Sequence, residues 1–274
     1  MLKIGIIGTK KYLKNQLQSL LSYLKKRVEI SVYLEESFLL TSSSSKHLFN
    51  EDLFFVKGKG NVILNLVRYI EKETSIPVIN PFNGIWRAMN RFLNSTYLQK
   101  AGIRVPPFCL VPEKLNPPFK DFIIKNIIDQ EPSSFIPKIE SRNGHIHVSD
   151  KRALNETEGA QKYYHYYYYQ QYIKSQVEYK IYGIGEQLFY FERIPTIKNP
   201  HRMVPKIEIK KISELEEPSR KVMEIFNLKV VSLDFLKSKE GYYYLIDVNS
   251  GPKFISVKNG AEILGEFLID YVKK

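Results

Sequence analysis

The sequence predicts an α/β fold that opens on a small parallel sheet and closes on a strand-rich unit. Three stretches carry this expectation. Residues 3–8 (KIGIIG) form a short apolar run ending in glycine, followed by a helical face of Leu17, Leu20, Leu21 and Leu24 and then by the alternating run VEISVYL. Further on, YKIYGIG and QLFYFERI read as two strands joined by a Gly-Ile-Gly-Glu turn. Near the end, VVSLDFL and YYYLIDVN read as two more, joined by Ser238-Lys239-Glu240-Gly241.

The first helix closes in Lys25, Lys26 and Arg27, cations that suit a helix C-terminus. A β-α-β opening invites a dinucleotide-binding reading, but GxGxxG is absent: only Gly5 and Gly8 are present, which argues against a nicotinamide cofactor. Ser42–Ser45 read as a mobile loop. Residues 53–56 (LFFV) read as a strand running into Lys57-Gly58-Lys59-Gly60, and residues 61–72 have amphipathic helical spacing. IPVINP reads as a strand stopped by proline. One helix is expected over about Gly84–Lys100, ended by Gly102 and Pro106-Pro107. Residues of about 108–165 are poor in periodicity and rich in turn formers, with FIIKNII and FIPKI as strands. The run YYHYYYYQQYI reads as a strand packed between two layers, with a stacking platform for bases as the other reading. Helices are expected over about 213–226 and 259–273, the last with Ile263, Phe267 and Tyr271 on one face.

The 274 residues suffice for one large domain or two to three subdomains, and 43% hydrophobic with 26% charged residues excludes disorder, collagen and coiled coil for the bulk of the chain. A single cysteine, Cys109, excludes an intramolecular disulfide and a cysteine-based zinc site and suggests a reducing cytoplasm. The N-terminus meets charge too soon for a signal peptide, and no apolar run approaches the roughly 18 residues of a membrane span. No membrane partner is expected. The formal charge of +12 favours an anionic partner, although a lysine-rich proteome would give the same excess. Oligomeric state is not legible.

The strongest chemical constellation is Asp234, Asp247 and Asn249. Asp247 and Asn249 are two apart and share one strand face, and a short turn lets Asp234 lie beside them. Oxygen ligands on one rigid face are what Mg²⁺ needs when phosphates and water fill its other positions. Incidental polar residues in a hairpin are the alternative, set against the cost of unpaired carboxylates amid apolar neighbours.

The hairpin SLDFLKSKEGYYYLIDVNSGPKF resembles the end of an ATP-grasp domain, whose acidic strand pair holds Mg²⁺ bound to ATP. YQQYI resembles that fold's adenine hinge, and AMNRFLNSTYLQKAGIRVP the segment before the grasp domain. The resemblance implies an N-terminal α/β domain over 1–104 and an ATP-grasp domain over 105–274, with a central lobe of about 108–170 and a C-terminal lobe of about 171–274. Within the superfamily, Asp247-Val248-Asn249, VEYKIYGIGE, ERIPTIKN, NPFNGIWRAMNR, GTKK and FFVKGKG look most similar to inositol 1,3,4-trisphosphate 5/6-kinases. That likeness implies that Arg91 and Lys138 contact ATP phosphates and that Gln170, Gln171, Tyr172 and Ile173 form the adenine hinge. It implies that Lys11, Lys57, His145, Lys180 and Arg193 face the second substrate or the transferring group, with Lys180, Arg193 and His145 as catalytic residues. Asp234, Asp247 and Asn249 would hold magnesium, with Asn249 also near the acceptor.

Several positions depart from the kinase pattern. The glycine-rich loop is reduced to Ser141-Arg142-Asn143-Gly144, Lys125 in FIIKN rivals Lys138 for the ATP lysine, and Pro252-Lys253 stands where Pro-Gly is usual, so that Lys253 could touch substrate phosphate. The expected function is an ATP- and Mg²⁺-dependent kinase acting on a phosphorylated inositol or related polyol, a small phosphorylated partner. The alternative is a carboxylate–amine ligase of the ribosomal-protein glutamate-ligase type, working through an acyl-phosphate. A nucleic-acid binder using the positive charge is a third reading. The central lobe is expected to close over ATP, with Ser141–Gly144 mobile in its absence.

Overall fold

The computed structural model describes residues 1–15, 17–37, 49–112, 115–129, 137–142, 145–150, 166–198 and 204–273. The serine run, Asn143-Gly144 and the start of the tyrosine run lie outside the described residues, as do the side chains of 137–142.

The chain opens with β1 (Lys3–Gly8), α1 (Lys10–Asn15), α2 (Gln18–Leu24), β2 (Glu29–Leu34), β3 (Leu53–Lys57), α3 (Asn61–Glu73) and β4 (Val78–Ile79). The four strands form an all-parallel sheet in the order β2-β1-β3-β4. Helices cover both faces, which is why β3 is apolar at almost every position. On one face Ile7, Phe54 and Val56 pack against Ile63, Val67 and Ile70 of α3. On the other, Ile4, Ile6 and Phe55 meet Leu20 and Leu24 of α2, together with Leu264 and Leu268 of the final helix α7 (Gly260–Lys273). The end of the chain thus returns to the sheet that begins it.

The single helix expected over Gly84–Lys100 is two helices, α4 (Phe82–Met89) and α5 (Arg91–Lys100). Asn90 breaks them: its backbone is extended (ψ 100°), its Oδ1 accepts from the Leu93 N–H at 3.1 Å, and its main chain bridges to Ile128. An asparagine that caps a new helix competes with continuing the old one. Gly102, at φ +76°, ends α5 as expected.

A five-stranded sheet follows: β5 (Phe108–Pro112), β6 (Phe122–Lys125), β7 (Pro137–Arg142), β8 (His145–Asp150) and β9 (Tyr166–Gln171), in the order β5-β9-β6-β8-β7. The tyrosine run supplies the interior strand β9. Tyr168, Tyr169 and Gln170 are buried, and the Tyr168 hydroxyl bonds Ser95 Oγ at 2.7 Å. The packed-strand reading holds for this part of the run.

The third sheet contains β10 (Glu178–Ile184), β11 (Gln187–Arg193), β12 (Ile207–Glu208), β13 (Val230–Lys237) and β14 (Tyr243–Asn249), antiparallel in the order β12-β11-β10-β13-β14, with α6 (Ser213–Ile225) between β12 and β13. Its strands alternate. Ile181, Val231, Leu233, Leu245 and Val248 point into a core with Leu215 and Val222 of α6, while the other face carries Glu178, Lys180 and Asp234 at one end and the buried Tyr182, Ile184, Phe191 and Val230 beside them. No helix among the described residues is long and apolar enough to cross a membrane.

Candidate active site

Strand register builds the first half of the site. Lys180 in β10 pairs with Asp234 in β13, and Asp234 pairs with Asp247 in β14, so the three side chains form one lateral row on the face away from α6. Lys180 Nζ donates to Asp234 Oδ1 at 2.6 Å, and Arg193 Nη2 lies 3.8 Å from Asp234 Oδ2. Glu178, two residues before Lys180, pairs with Arg193. Burial alone would raise the Asp234 carboxyl, but Lys180 and Arg193 hold it below its usual range. Lys180 is likewise kept above its ordinary value by Asp234, against the effect of burial.

A bulge falls between Asp234 and Phe235, where the partner register skips Ile246. The Ile246 carbonyl accepts from Lys125 Nζ at 3.1 Å, which joins the second sheet to the third. Lys125 also donates to Gln170 Oε1 at 2.9 Å. Burial lowers the Lys125 ammonium to about 8, opposed by Asp247. Beside it, Arg91 donates to the Asn126 carbonyl at 2.6 Å and to Asp129 at 2.7 Å, and Lys59 holds the other Asp129 oxygen at 2.6 Å. Asp247 faces this cluster without a hydrogen bond or ion pair among the described residues. Burial, then Asp129 and Asp234, push its carboxyl above the usual range.

The third part lies at the carboxyl ends of β1 and β3, the point where the parallel sheet's connections diverge and where such sheets commonly bind ligands. Lys57 is expected to face substrate phosphates. It is instead 3% exposed and donates to the main-chain carbonyls of Gly251 and Pro252. Burial, with Lys59 and Lys253 nearby, lowers its ammonium to about 7. Asn249 Oδ1 accepts from the Gly251 N–H at 3.0 Å. Lys11 and Lys253 are exposed.

The structure thus gathers Arg91, Lys125, Gln170 and Asp247 at one junction, Lys180, Arg193 and Asp234 beside it, and Lys57, Asn249 and Lys253 at the turn after β14. His145 stands apart at the start of β8, 3.6 Å from Asp121. The side chain of Lys138 lies outside the described residues, and its backbone pairs with Ser149. Gln171 and Tyr172 spend their N–H groups on the carbonyls of Pro107 and Asp121, and Ile173 follows them at the junction of the second and third sheets. Sequence reasoning missed Lys59, Asp129 and Glu178 as members of the cluster. The KGKG run marked the first, but its partner is 70 residues away.

Among the described residues no group of three or more His, Cys, Asp and Glu converges for a metal. Asp234, Asp247 and Asn249 are a sparser oxygen set that suits a hard ion sharing its shell with phosphate and water. The half-buried carboxylate of Asp247, which has no side-chain partner among the described residues, is the group that most needs a cation.

Solved structures decide the architecture. An ATP-grasp ligase associated with a RiPP of Chryseobacterium gregarium, in complex with ADP and a leader and core peptide, matches over 99% of this chain and 97% of its own, with TM-score 0.66 and 13% identity. The macrocyclase MdnC of Microcystis aeruginosa, bound to precursor peptide MdnA, matches over 98% and 100%, with TM-score 0.67 and 10% identity. The fold is ATP-grasp. A RimK-domain ATP-grasp protein from Sphaerobacter thermophilus matches over 97% of this chain and 99% of its own, with TM-score 0.67 and 12% identity. No protein-family model and no curated protein sequence matches. The expectation of an inositol phosphate kinase is corrected here: the similarly folded structures include ligases bound to peptides and a macrocyclase bound to its precursor peptide.

Proposed function

We propose that the protein is an ATP- and Mg²⁺-dependent ligase that activates a carboxylate of a peptide as an acyl-phosphate and joins it to an amine. The observation that carries this reading is the junction of the second and third sheets, where Lys125 and Arg91 converge on the unpaired Asp247. Support for the substrate class comes from the peptides bound to similarly folded ligases. The phosphorylated small molecule expected from the sequence gives way to a peptide.

Lys125 and Arg91 would take the phosphate oxygens of ATP, with Asp129 giving up Arg91 as phosphate arrives. Asp247 and Asn249, with Asp234 beside them, would hold Mg²⁺, which supplies charge neutralisation at the transferring phosphoryl group. The substrate carboxylate oxygen attacks the γ-phosphorus, the bond to the β-phosphate oxygen breaks, and ADP leaves. The amine nitrogen then attacks the acyl carbon, phosphate departs, and the ammonium proton is lost to solvent. Lys180 would face the transferring group, with its ammonium held by Asp234.

The test is product analysis with ATP, Mg²⁺ and a panel of peptides bearing aspartate or glutamate, with and without added amine. The expected result is ADP, free phosphate and a product lighter than its components by one water, absent in Asp247→Asn. Hydroxylamine should divert the intermediate to a hydroxamate. A product that retains the phosphoryl group, or turnover indifferent to the carboxylate, would overturn the proposal.

A further inference from the structure

Three consecutive main-chain carbonyls follow the end of β14: those of Ser250, Gly251 and Pro252. Each accepts a hydrogen bond from a side chain of the N-terminal sheet. Asn80 Nδ2 donates to Ser250 at 2.7 Å, and Lys57 Nζ donates to Gly251 and, at 2.8 Å, to Pro252. Asn80 directly follows β4 and Lys57 ends β3, so the two donors come from neighbouring strands.

Asn80 is 1% exposed and fully used. Its Nδ2 also donates to the Val230 carbonyl at 2.6 Å, and its Oδ1 accepts from the N–H groups of Lys229 at 2.8 Å and Val230 at 3.1 Å. One side chain therefore ties the start of β13 and the exit of β14 to the same point. Lys57 is buried with no carboxylate in contact among the described residues, and the charges that bear on it, Lys59 and Lys253, repel it. A buried ammonium without a counter-ion is costly. What it gains here is the hold on two carbonyls that would otherwise be left without donors in the interior.

The consequence reaches the site through one residue. Lys57 fixes Gly251, and the Gly251 N–H fixes Asn249 Oδ1 at 3.0 Å. Asn249 is two residues from Asp247 on the same strand face.

We propose that Lys57 and Asn80 are positioning residues: from the N-terminal sheet they clamp the Ser250–Pro252 turn and so orient Asn249 beside Asp247 for the metal. The inference rests on the reading of Asp247 and Asn249 as metal ligands given above. Partners that orient a ligand typically govern metal affinity by 10–100-fold.

The experiment titrates the full chain with the ATP analogue AMPPNP by calorimetry, with and without Mn²⁺, in the wild type, Lys57→Met, Asn80→Ser and Asp247→Asn. The expected result is that Lys57→Met and Asn80→Ser each weaken Mn²⁺-dependent binding by about tenfold or more, while metal-free AMPPNP binds as in the wild type. A merely structural role would weaken both forms alike or neither. If Asp247→Asn removes the Mn²⁺ dependence and Lys57→Met does not, the clamp is overturned and the metal reading stands. If Asp247→Asn leaves the dependence intact, both fall. Hydrogen exchange on the unaltered protein supplies a check that needs no variant to fold: the Gly251 amide should exchange as slowly as those of β14. Exchange at the rate of a free loop would overturn the proposal.

Discussion

Lys125 is the side chain on which nucleotide binding should depend most. Its ammonium stands between Gln170 and the Ile246 carbonyl, and Asp247 opposes the effect of burial on its charge. A charged hydrogen bond contributes about 2 kcal/mol, so Lys125→Ala should weaken AMPPNP binding roughly thirtyfold by calorimetry. Lys57 predicts a pH dependence of stability. Below about pH 7 both the folded and the unfolded chain hold its proton. Between there and the ordinary 10.5 only the unfolded chain does, so stability rises with pH through this window, by up to about 1.4 kcal/mol per unit. Denaturant titrations at pH 7 and 8 should show the rise, and Lys57→Met should remove it. The sequence made both lysines visible, as members of FIIKN and KGKG, but not their state. Whether a lysine is free or spent on carbonyls depends on residues more than a hundred positions away.

The elements explain where the sequence was legible. Strands β10 and β13 set Ile181, Val231, Leu233 and Phe235 at alternate positions against α6, and β-branched and aromatic residues run through all four strands of the two hairpins, so their pattern is strong. Strand β5 lacks such contrast, and β8, although it alternates over His145–Val148, is a short run among turn formers. The break at Asn90 was hidden because apolar spacing runs across it, and only the bridge to Ile128 and the cap to Leu93 reveal it. Asn90→Ala should cost about 1 kcal/mol of stability through the lost cap, measured by chemical denaturation. Gly84 is a sharper test of packing. A Cβ there would lie 2.4 Å from the Phe226 carbonyl oxygen, so α4 would have to move away from the end of α6. Gly84→Ala should destabilise by about 1–3 kcal/mol, and a neutral result would mean that these helices yield more easily than the contact implies.

At the scale of the whole molecule, the final hairpin and the order of segments before it were enough to anticipate the ATP-grasp fold. They were not enough to fix the reaction. A match as short as Asp247-Val248-Asn249 does not separate one ATP-grasp reaction from another, and a count of lysines does not reveal which of them the chain itself neutralises. Three sheets meet at Lys125, Asp247 and the Ser250–Pro252 turn, and the account stands on what happens to a carboxylate there. The direct measurement is the fate of oxygen from that carboxylate. Acidic peptides whose side-chain carboxylates carry heavy oxygen are turned over with ATP, Mg²⁺ and an amine, and the released phosphate is analysed by mass. Activation as an acyl-phosphate predicts heavy oxygen in the phosphate, in step with product. Turnover that releases only unlabelled phosphate would contradict it.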